Sequence, residues 1–291
     1  MRIKVADFRV GEGRTVNLRK WPTAVDPVYV SKEEYQEVLQ DHVARLSALQ
    51  QRLYASERYA VLLMFQAMDT AGKDGSIKHV MSGVNPQGCD VVSFKQPSPE
   101  ELRQNFLWRA ARELPERGRI GIFNRSYYES VLVVRVHPEL LDREMPNHRK
   151  DLDEIWHRRF QSITSFERHL HVNSTRIAKI YLHLSRQEQR KRLLERIDDP
   201  EKNWKISESD IAERGYWNAY RDAYEECLGA TSTKDSPWYI VPADDKDNAR
   251  LIVSQILVDL LEGLQLHYPR SDARHRRKLA GFRRRLTAPG G

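Results

Sequence analysis

Cysteine is nearly absent from this 291-residue chain, with only Cys89 and Cys227. Two thiols support neither a disulfide framework nor a cysteine-rich metal cluster, and they fit a reducing cytoplasm. Long apolar runs are also missing. The longest spans Ala60 to Phe65, far short of the roughly 20 residues a membrane-spanning helix needs, so no membrane partner is expected. The opening MRIKVADFRV is interrupted by Asp7, so no secretory signal is expected there. No repeat at solenoid spacing is present. What the chain does have is 40% hydrophobic and 31% charged residues, enough for a sizeable core and too much for long-range disorder.

The formal net charge of +7 invites a polyanion or nucleic-acid reading. Its location argues otherwise for most of the chain. Eight of the 48 basic residues (Arg270, Arg274, Arg276, Arg277, Lys278, Arg283, Arg284, Arg285) and one of the 41 acids, Asp272, lie between Arg270 and Arg285. That leaves 40 basic and 40 acidic groups elsewhere, so the body is neutral and any anion site in it depends on local placement.

Residues 1–31 lack sustained periodicity and read as an extended arm. Helical periodicity follows over 32–54, with Ser31 as N-cap. Strand patterns fall at 59–65, 90–94, 119–123, 177–184 and 238–241. Helical patterns fall after Gly72 to about 81, from the Pro97-Ser98-Pro99-Glu100-Glu101 start to 114, and at 152–170, 186–197, up to about 228, and 246–266. Strands alternating with helices predict one α/β domain over 32–269, a parallel sheet between two helical layers, with a helical lid at about 186–216. The basic segment 270–291 has three possible fates: tethering a polymer, contacting another subunit, or disorder. Disorder is the expectation.

Phe65-Gln66-Ala67-Met68-Asp69-Thr70-Ala71-Gly72-Lys73-Asp74-Gly75-Ser76 lies between a predicted strand and a predicted helix, the setting a phosphate-binding loop requires. Loop amides and a helix N-terminus supply positive potential, and Lys73 can reach bridging phosphate oxygens. The match to G-x-x-x-x-G-K-[ST] is imperfect: Ala67 replaces the first Gly, and Asp74 stands where Ser or Thr usually meets magnesium. Asp69 adds a carboxylate inside the loop, a hard-cation ligand suited to a highly charged phosphate donor. The plain alternative is an ordinary strand–turn–helix with Lys73 solvated.

After the third strand come Asn124-Arg125-Ser126-Tyr127-Tyr128-Glu129. Nucleotide kinases of the phosphate-loop class often carry an acid here followed by Arg, the acid orienting magnesium and the Arg stabilising the transferring phosphoryl. Asn124 can hold a metal-bound water but brings no charge. Arg125 falls at the C-terminal end of a strand, where ligands bind in open parallel sheets. Between Glu188 and Lys205 a basic helix runs into a Pro-containing polar segment, the form of a kinase lid. Taken alone, that segment is better explained as a solvated helix with Glu–Arg pairs.

Together these segments resemble the second family of polyphosphate kinases over roughly 22–266. The loop A-M-D-T-A-G-K-D-G-S, the run S-G-V-N-P-Q-G (82–88), I-F-N-R-S-Y-Y-E (122–129) and D-P-E-K-N-W-K (199–205) carry the resemblance. It implies a P-loop kinase fold related to thymidylate kinases, and phosphoryl transfer between inorganic polyphosphate and nucleotides with Mg2+, for which Mn2+ can substitute. Asn124, with V-L-V-V-R-V-H-P-E (131–139), is similar to the class III subgroup, associated with phosphorylation of both AMP and ADP. The resemblance also implies a homo-oligomer acting on purine nucleotides, without a specific nucleic-acid partner.

The residues and the resemblance agree on roles. Asp69, Lys73, Arg125 and Arg192 are the expected catalytic set. Ala71, Gly72, Lys73, Asp74, Gly75, Ser76, Asn124, Tyr128, Arg135, Arg190 and Lys205 are the expected phosphate or nucleotide contacts. Asp69, and Asn124 through water, are the expected metal positions. Lys78, His79 and Arg135 are candidates for a polyphosphate channel, while His79 and His137 read as helix or loop histidines rather than bases. Two rivals stand beside this reading: an ATP-dependent nucleoside or nucleotide kinase on the same fold, and a non-enzymatic polyanion binder acting through the basic tail.

Overall fold

The computed structural model describes residues 3–146 and 151–288. In chain order, the helices are α1 (Lys32–Ser56), α2 (Lys73–Val80), α3 (Trp108–Ala111), α4 (Glu129–Val136), α5 (Leu141–Glu144), α6 (Leu152–Val172), α7 (Arg186–Asp198), α8 (Glu208–Gly215), α9 (Trp217–Thr231), α10 (Lys246–Gly263) and α11 (Ala273–Thr287). The strands are β1 (Ala60–Ala67), β2 (Cys89–Ser93), β3 (Ile120–Asn124), β4 (Thr175–His183) and β5 (Trp238–Pro242). All four pairings are parallel and the order is β2-β3-β1-β4-β5.

The unbroken apolar run of β1 has its explanation here. β1 is the central strand, and all eight of its residues are buried. In a parallel sheet covered on both faces, both sets of alternating side chains must be apolar. Val61, Leu63 and Phe65 face one layer, where α1, α2 and α10 pack. Leu62 and Met64 face the other, where α4, α6 and α9 pack. α1 starts where Ser31 accepts from the Glu34 amide, a cap that satisfies one of the first-turn donors. The strand order reverses direction on either side of β1, so the crevice at its C-terminal end is the place where an α/β sheet of this kind binds ligands.

Three expectations change. The helix expected to run to 114 is instead a 3-10 turn at Glu101–Arg103 and the single turn α3. The Ser98–Glu101 capping exchange does form. Asn105 Oδ1 then accepts from the Leu107 amide, a local bond that competes with helix propagation. The β-branched run after Glu129 has no predicted element, yet it forms α4, with Val131, Leu132 and Val134 buried. Tertiary burial outweighs its weak helix propensity. The basic segment is not disordered throughout: Asp272 caps α11, accepting from the His275 amide. Its last positions, 289–291, lie outside the described residues. The lid region comprises α7, a 3-10 turn at Asn203–Lys205 and α8. The N-terminal arm packs against the body, with Ile3, Val10, Val16 and Leu18 buried and the Val10 amide donating to Trp238 O at 2.9 Å.

Candidate active site

The loop between β1 and α2 makes its turn through two left-handed residues, Thr70 (φ 65°) and Gly72 (φ 97°). A Cβ at Gly72 would come no closer than 3.9 Å to Arg192 Nη1, so the backbone angle, not lack of space, calls for glycine. Ala67, the departure from the standard loop, is the last residue of β1 with ordinary strand backbone, so its methyl is accommodated. Lys73 opens α2 and its Nζ donates to Ala67 O at 3.3 Å. The first amides of α2 have no intrahelical partner, which leaves them available as anion donors.

Three charged side chains meet in front of the loop. Arg125, itself left-handed (φ 63°) at the end of β3, pairs with Asp69 at 3.3 Å and Glu129 at 3.4 Å. A non-glycine residue in that region is strained, and such strain concentrates at functional positions. Glu129 raises the Arg125 pKa most strongly, keeping the guanidinium charged. Burial pushes the Glu129 carboxyl up, against the pull of Arg125 and Lys73. Burial, and then the neighbouring Arg125 charge, lower the pKa of Lys73. The Lys73 shift describes a cation short of counter-charge, which an incoming polyanion would relieve. Asn124 Nδ2 donates to Asp74 Oδ1 at 2.6 Å, so the uncharged amide orients the second loop carboxylate.

Two cavities adjoin here. One, of about 710 Å3, is formed by the loop 69–75 together with Lys95, Asn124, Arg125 and Arg196. The other, of about 530 Å3, has aromatic walls from Phe106, Trp217 and Tyr220 and cations from Arg109, Arg143 and Arg214. Asp69, Lys95, Gln96 and Arg125 belong to both. An anion-binding loop with its lysine, an arginine beside a loop carboxylate, and a second aromatic and cationic cavity across that pair together suit transfer between two phosphate-bearing molecules.

Comparison with known proteins agrees. The family model described as Polyphosphate kinase 2 matches residues 29–268. The chain belongs to the polyphosphate kinase 2 family. It is 61% identical over 287 residues to an ADP-polyphosphate phosphotransferase of Rhodopseudomonas palustris, covering 98% of this chain and 99% of that one. It is 44% identical over 230 residues to an AMP/ADP-polyphosphate phosphotransferase of Meiothermus ruber, covering 78% and 81%. The crystal structure of polyphosphate kinase 2 from Arthrobacter aurescens TC1 superposes with a TM-score of 0.85 at 40% identity, over 96% of each chain.

Within this polyphosphate kinase 2 domain, the residues expected at the site divide into two groups. Asp69, Ala71, Gly72, Lys73, Asp74, Gly75, Asn124 and Arg125 all line the loop cavity. Arg192 sits behind the loop. It is buried, and its five N–H groups all have acceptors: Glu188 Oε1 at 2.9 Å, Thr70 O and Ala71 O at 3.2 Å, Ala243 O at 2.7 Å and Asp244 O at 3.0 Å. Guanidinium has five donors, so none is left for substrate. Arg192 is a positioning residue for the loop, not a catalytic one.

Ser76 is buried, and its amide closes the first turn of α2 on Gly72 O at 2.9 Å. Tyr128 is fully buried away from both cavities. Its hydroxyl donates to Glu167 at 2.7 Å and accepts from Lys179 at 3.0 Å, and Tyr127 donates to the same carboxylate at 2.8 Å. The buried Lys179–Glu167 pair (2.6 Å) thus anchors the tyrosines that follow Arg125. Arg135 pairs with Glu226 and lies over Trp156. Arg190 and Lys205 are exposed on the lid, Lys205 over the Trp204 ring. Lys78 is exposed, His79 is bonded to Gly75 O at 2.7 Å, and His137 faces Glu213.

Lys95, Arg109, Arg143, Arg196 and Arg214 line the cavities without having been singled out in the sequence. Two carried a signal. Lys95 follows the C-terminal end of β2, the ligand-binding edge of such sheets, and Arg196 lies one helical turn beyond Arg192 on α7. Arg109, Arg143 and Arg214 reach the site from separate elements, with no common spacing to betray them.

Proposed function

We propose that this protein transfers phosphoryl groups from inorganic polyphosphate to ADP and AMP, forming ATP and ADP. The observation that carries this is the pair of cavities meeting at Asp69 and Arg125. The loop cavity takes the phosphates of the polymer, and the second takes the nucleotide, its base against the aromatic wall and its phosphates among the arginines. An acceptor phosphate oxygen attacks the terminal phosphorus of the polymer as the bridging P–O bond breaks on the opposite side. The transition state is loose, so positioning and charge neutralisation do most of the work. Lys73 and the α2 amides hold the polymer end, and Arg125 meets the charge on the moving group. Removing the water around them strengthens every one of these contacts.

Asp69 and Asp74 are hard oxygen donors on the loop cavity. No group of three or more His, Cys, Asp or Glu among the described residues could hold a metal by itself. Such a donor set fits Mg2+, which is commonly bound by one or two carboxylates plus substrate phosphates. Asp69 and Asp74, the latter oriented by Asn124, would hold it. Bound there, the ion would neutralise phosphate charge, and Mn2+ would serve in its place.

Among the described residues no helix is long and apolar enough to cross a membrane. We place the enzyme in the cytoplasm, where nucleotides are available and Cys89 and Cys227 stay as free thiols. The same reading takes it as a homo-oligomer without a specific nucleic-acid partner, which light scattering and a binding titration check. The deciding assay incubates ADP, and separately AMP, with polyphosphate and magnesium in the absence of ATP. ATP from ADP, and ADP then ATP from AMP, are expected. Activity only from nucleoside triphosphates would show an ATP-dependent kinase instead.

A further inference from the structure

Helix α11 takes no part in the site described. It has no buried residue, and it lies beyond residue 268, where the match to the family ends. Between Arg270 and Arg285 the segment holds eight basic residues and one acid. None of the eight is in an ion pair among the described residues. The polar contact of their side chains is Arg276 Nη1 with Ser271 O at 3.2 Å. By contrast, Arg125, Arg192 and Arg214 at or beside the active site have carboxylate or carbonyl partners.

The arrangement along the helix is directional. At 100° per residue, Arg274, Lys278 and Arg285 share one side and Arg277 and Arg284 the next, while Arg276 and Arg283 lie opposite; the first five make a row of cations along an axis of about 22 Å for fifteen residues. Leu279, Phe282 and Leu286 form a narrow apolar stripe on the other side, all exposed. A helix that lies in a membrane interface needs a broad apolar face, and three residues do not make one. A row of unpaired cations complements a linear polyanion.

The location restricts which polyanion chains benefit. α10 begins beside Ala243 and Asp244, whose carbonyls receive Arg192 behind the phosphate loop. It runs for 18 residues, about 27 Å, before the chain continues toward α11. Tyr268, bonded to Gln51 of α1 at 3.4 Å, holds the start of the tail at that far end of α10, so a short polymer seated at the loop does not reach it.

We propose that α11 is a docking rail for the polyphosphate chain, separate from the active site, that raises the local concentration of long polymer at the enzyme. The inference rests on polyphosphate as donor. Linking two contacts on one ligand strengthens binding without altering chemistry at either. The rail should therefore lower KM for long chains and leave kcat, and all parameters for short chains, as they are.

The test compares the full chain with a truncation after Pro269 and with the quadruple variant Arg274→Gln, Arg277→Gln, Arg284→Gln, Arg285→Gln. Kinetics are measured with long-chain and short-chain linear sodium polyphosphate over a range of salt. Both variants should raise KM for the long chain roughly tenfold at low salt and make its salt dependence shallower, as expected when several phosphate contacts are lost. Short-chain kinetics should not move. An unchanged long-chain KM in the quadruple variant would overturn the proposal, and so would equal changes for both lengths. The same holds if the variants lose only duplex DNA or anionic-vesicle binding, or only change mass in light scattering. Absence of turnover of either polymer by the full chain would instead overturn the donor assignment, and the rail with it.

Discussion

The front and the back of the phosphate loop each present an arginine, and the two have opposite chemistry. Arg125 in front is held by two carboxylates, Asp69 and Glu129, in a half-open setting where an incoming phosphate can compete for it. Arg192 behind is buried with every donor satisfied, four of the five by backbone carbonyls. One faces the cavities and the other holds, from behind, the loop that lines them. An arginine's usefulness to a phosphate therefore depends on how many of its donors the fold has already taken. That count is invisible in a list of basic residues.

The largest expected effect lies in front. Lys73→Ala and Asp69→Asn should each lower turnover by about 10^3-fold, the scale of losing a preorganised charge at a transferring phosphoryl. The melting temperature should stay close to that of the parent. A variant that kept near-full turnover would remove its residue from the site. Behind the loop the balance should reverse. Arg192→Ala leaves Glu188 and four carbonyls without their donor, and should cost about 3 kcal/mol of stability in a denaturant titration. Loss of turnover with no loss of stability would place Arg192 back among the residues that meet substrate.

A smaller effect is expected from Glu129→Gln. Burial holds the Glu129 carboxyl above the usual range. As pH falls, it therefore takes up a proton, and releases Arg125, at a higher pH than an ordinary glutamate. The parent should lose kcat on mild acidification, while the variant should start about tenfold lower, the equivalent of one charge-assisted contact, and lose this acid limb. A pH–rate profile with the same limb in both would assign it elsewhere. The smallest change concerns Asn124→Asp. It sets a second carboxylate against Asp74, 2.6 Å from the present amide, and like charges that close disfavour each other unless a cation intervenes. A few-fold shift in preference between AMP and ADP is expected, with a steeper magnesium requirement. Unchanged preference in parallel assays would separate this residue from acceptor choice.

Some of this organisation was open to sequence reading because its causes are local. The eight buried residues of β1, the Gly72 turn and the Lys73 helix start are neighbours in the chain. The buried strand and the tight turn each impose residue types on a short window. The Asn124-Arg125 pair was legible for the same reason, as a strand end. α4 was not, since its β-branched residues are helical only because other elements cover them. The stretch after Glu101 misled because a sound capping signal was followed by a competing turn at Asn105. Tyr128 and Arg135 look like ligands in the sequence, but Glu167, Lys179 and Glu226 engage them from positions distant in the chain.

By itself the sequence determined the α/β alternation, the phosphate loop and its carboxylate, the family motifs, and the separation of a neutral body from a basic tail. Each of these is written in adjacent residues and obeys short-range rules of backbone geometry and charge. Tertiary structure alone decided the strand order, the meeting of two cavities at Asp69 and Arg125, and the arrival of Lys95, Arg109, Arg143, Arg196 and Arg214 around them. It also decided which arginines remain free. The reason is physical: a guanidinium serves whichever acceptors the packed chain brings within about 3 Å, and for Arg192 most of those lie more than 50 residues away.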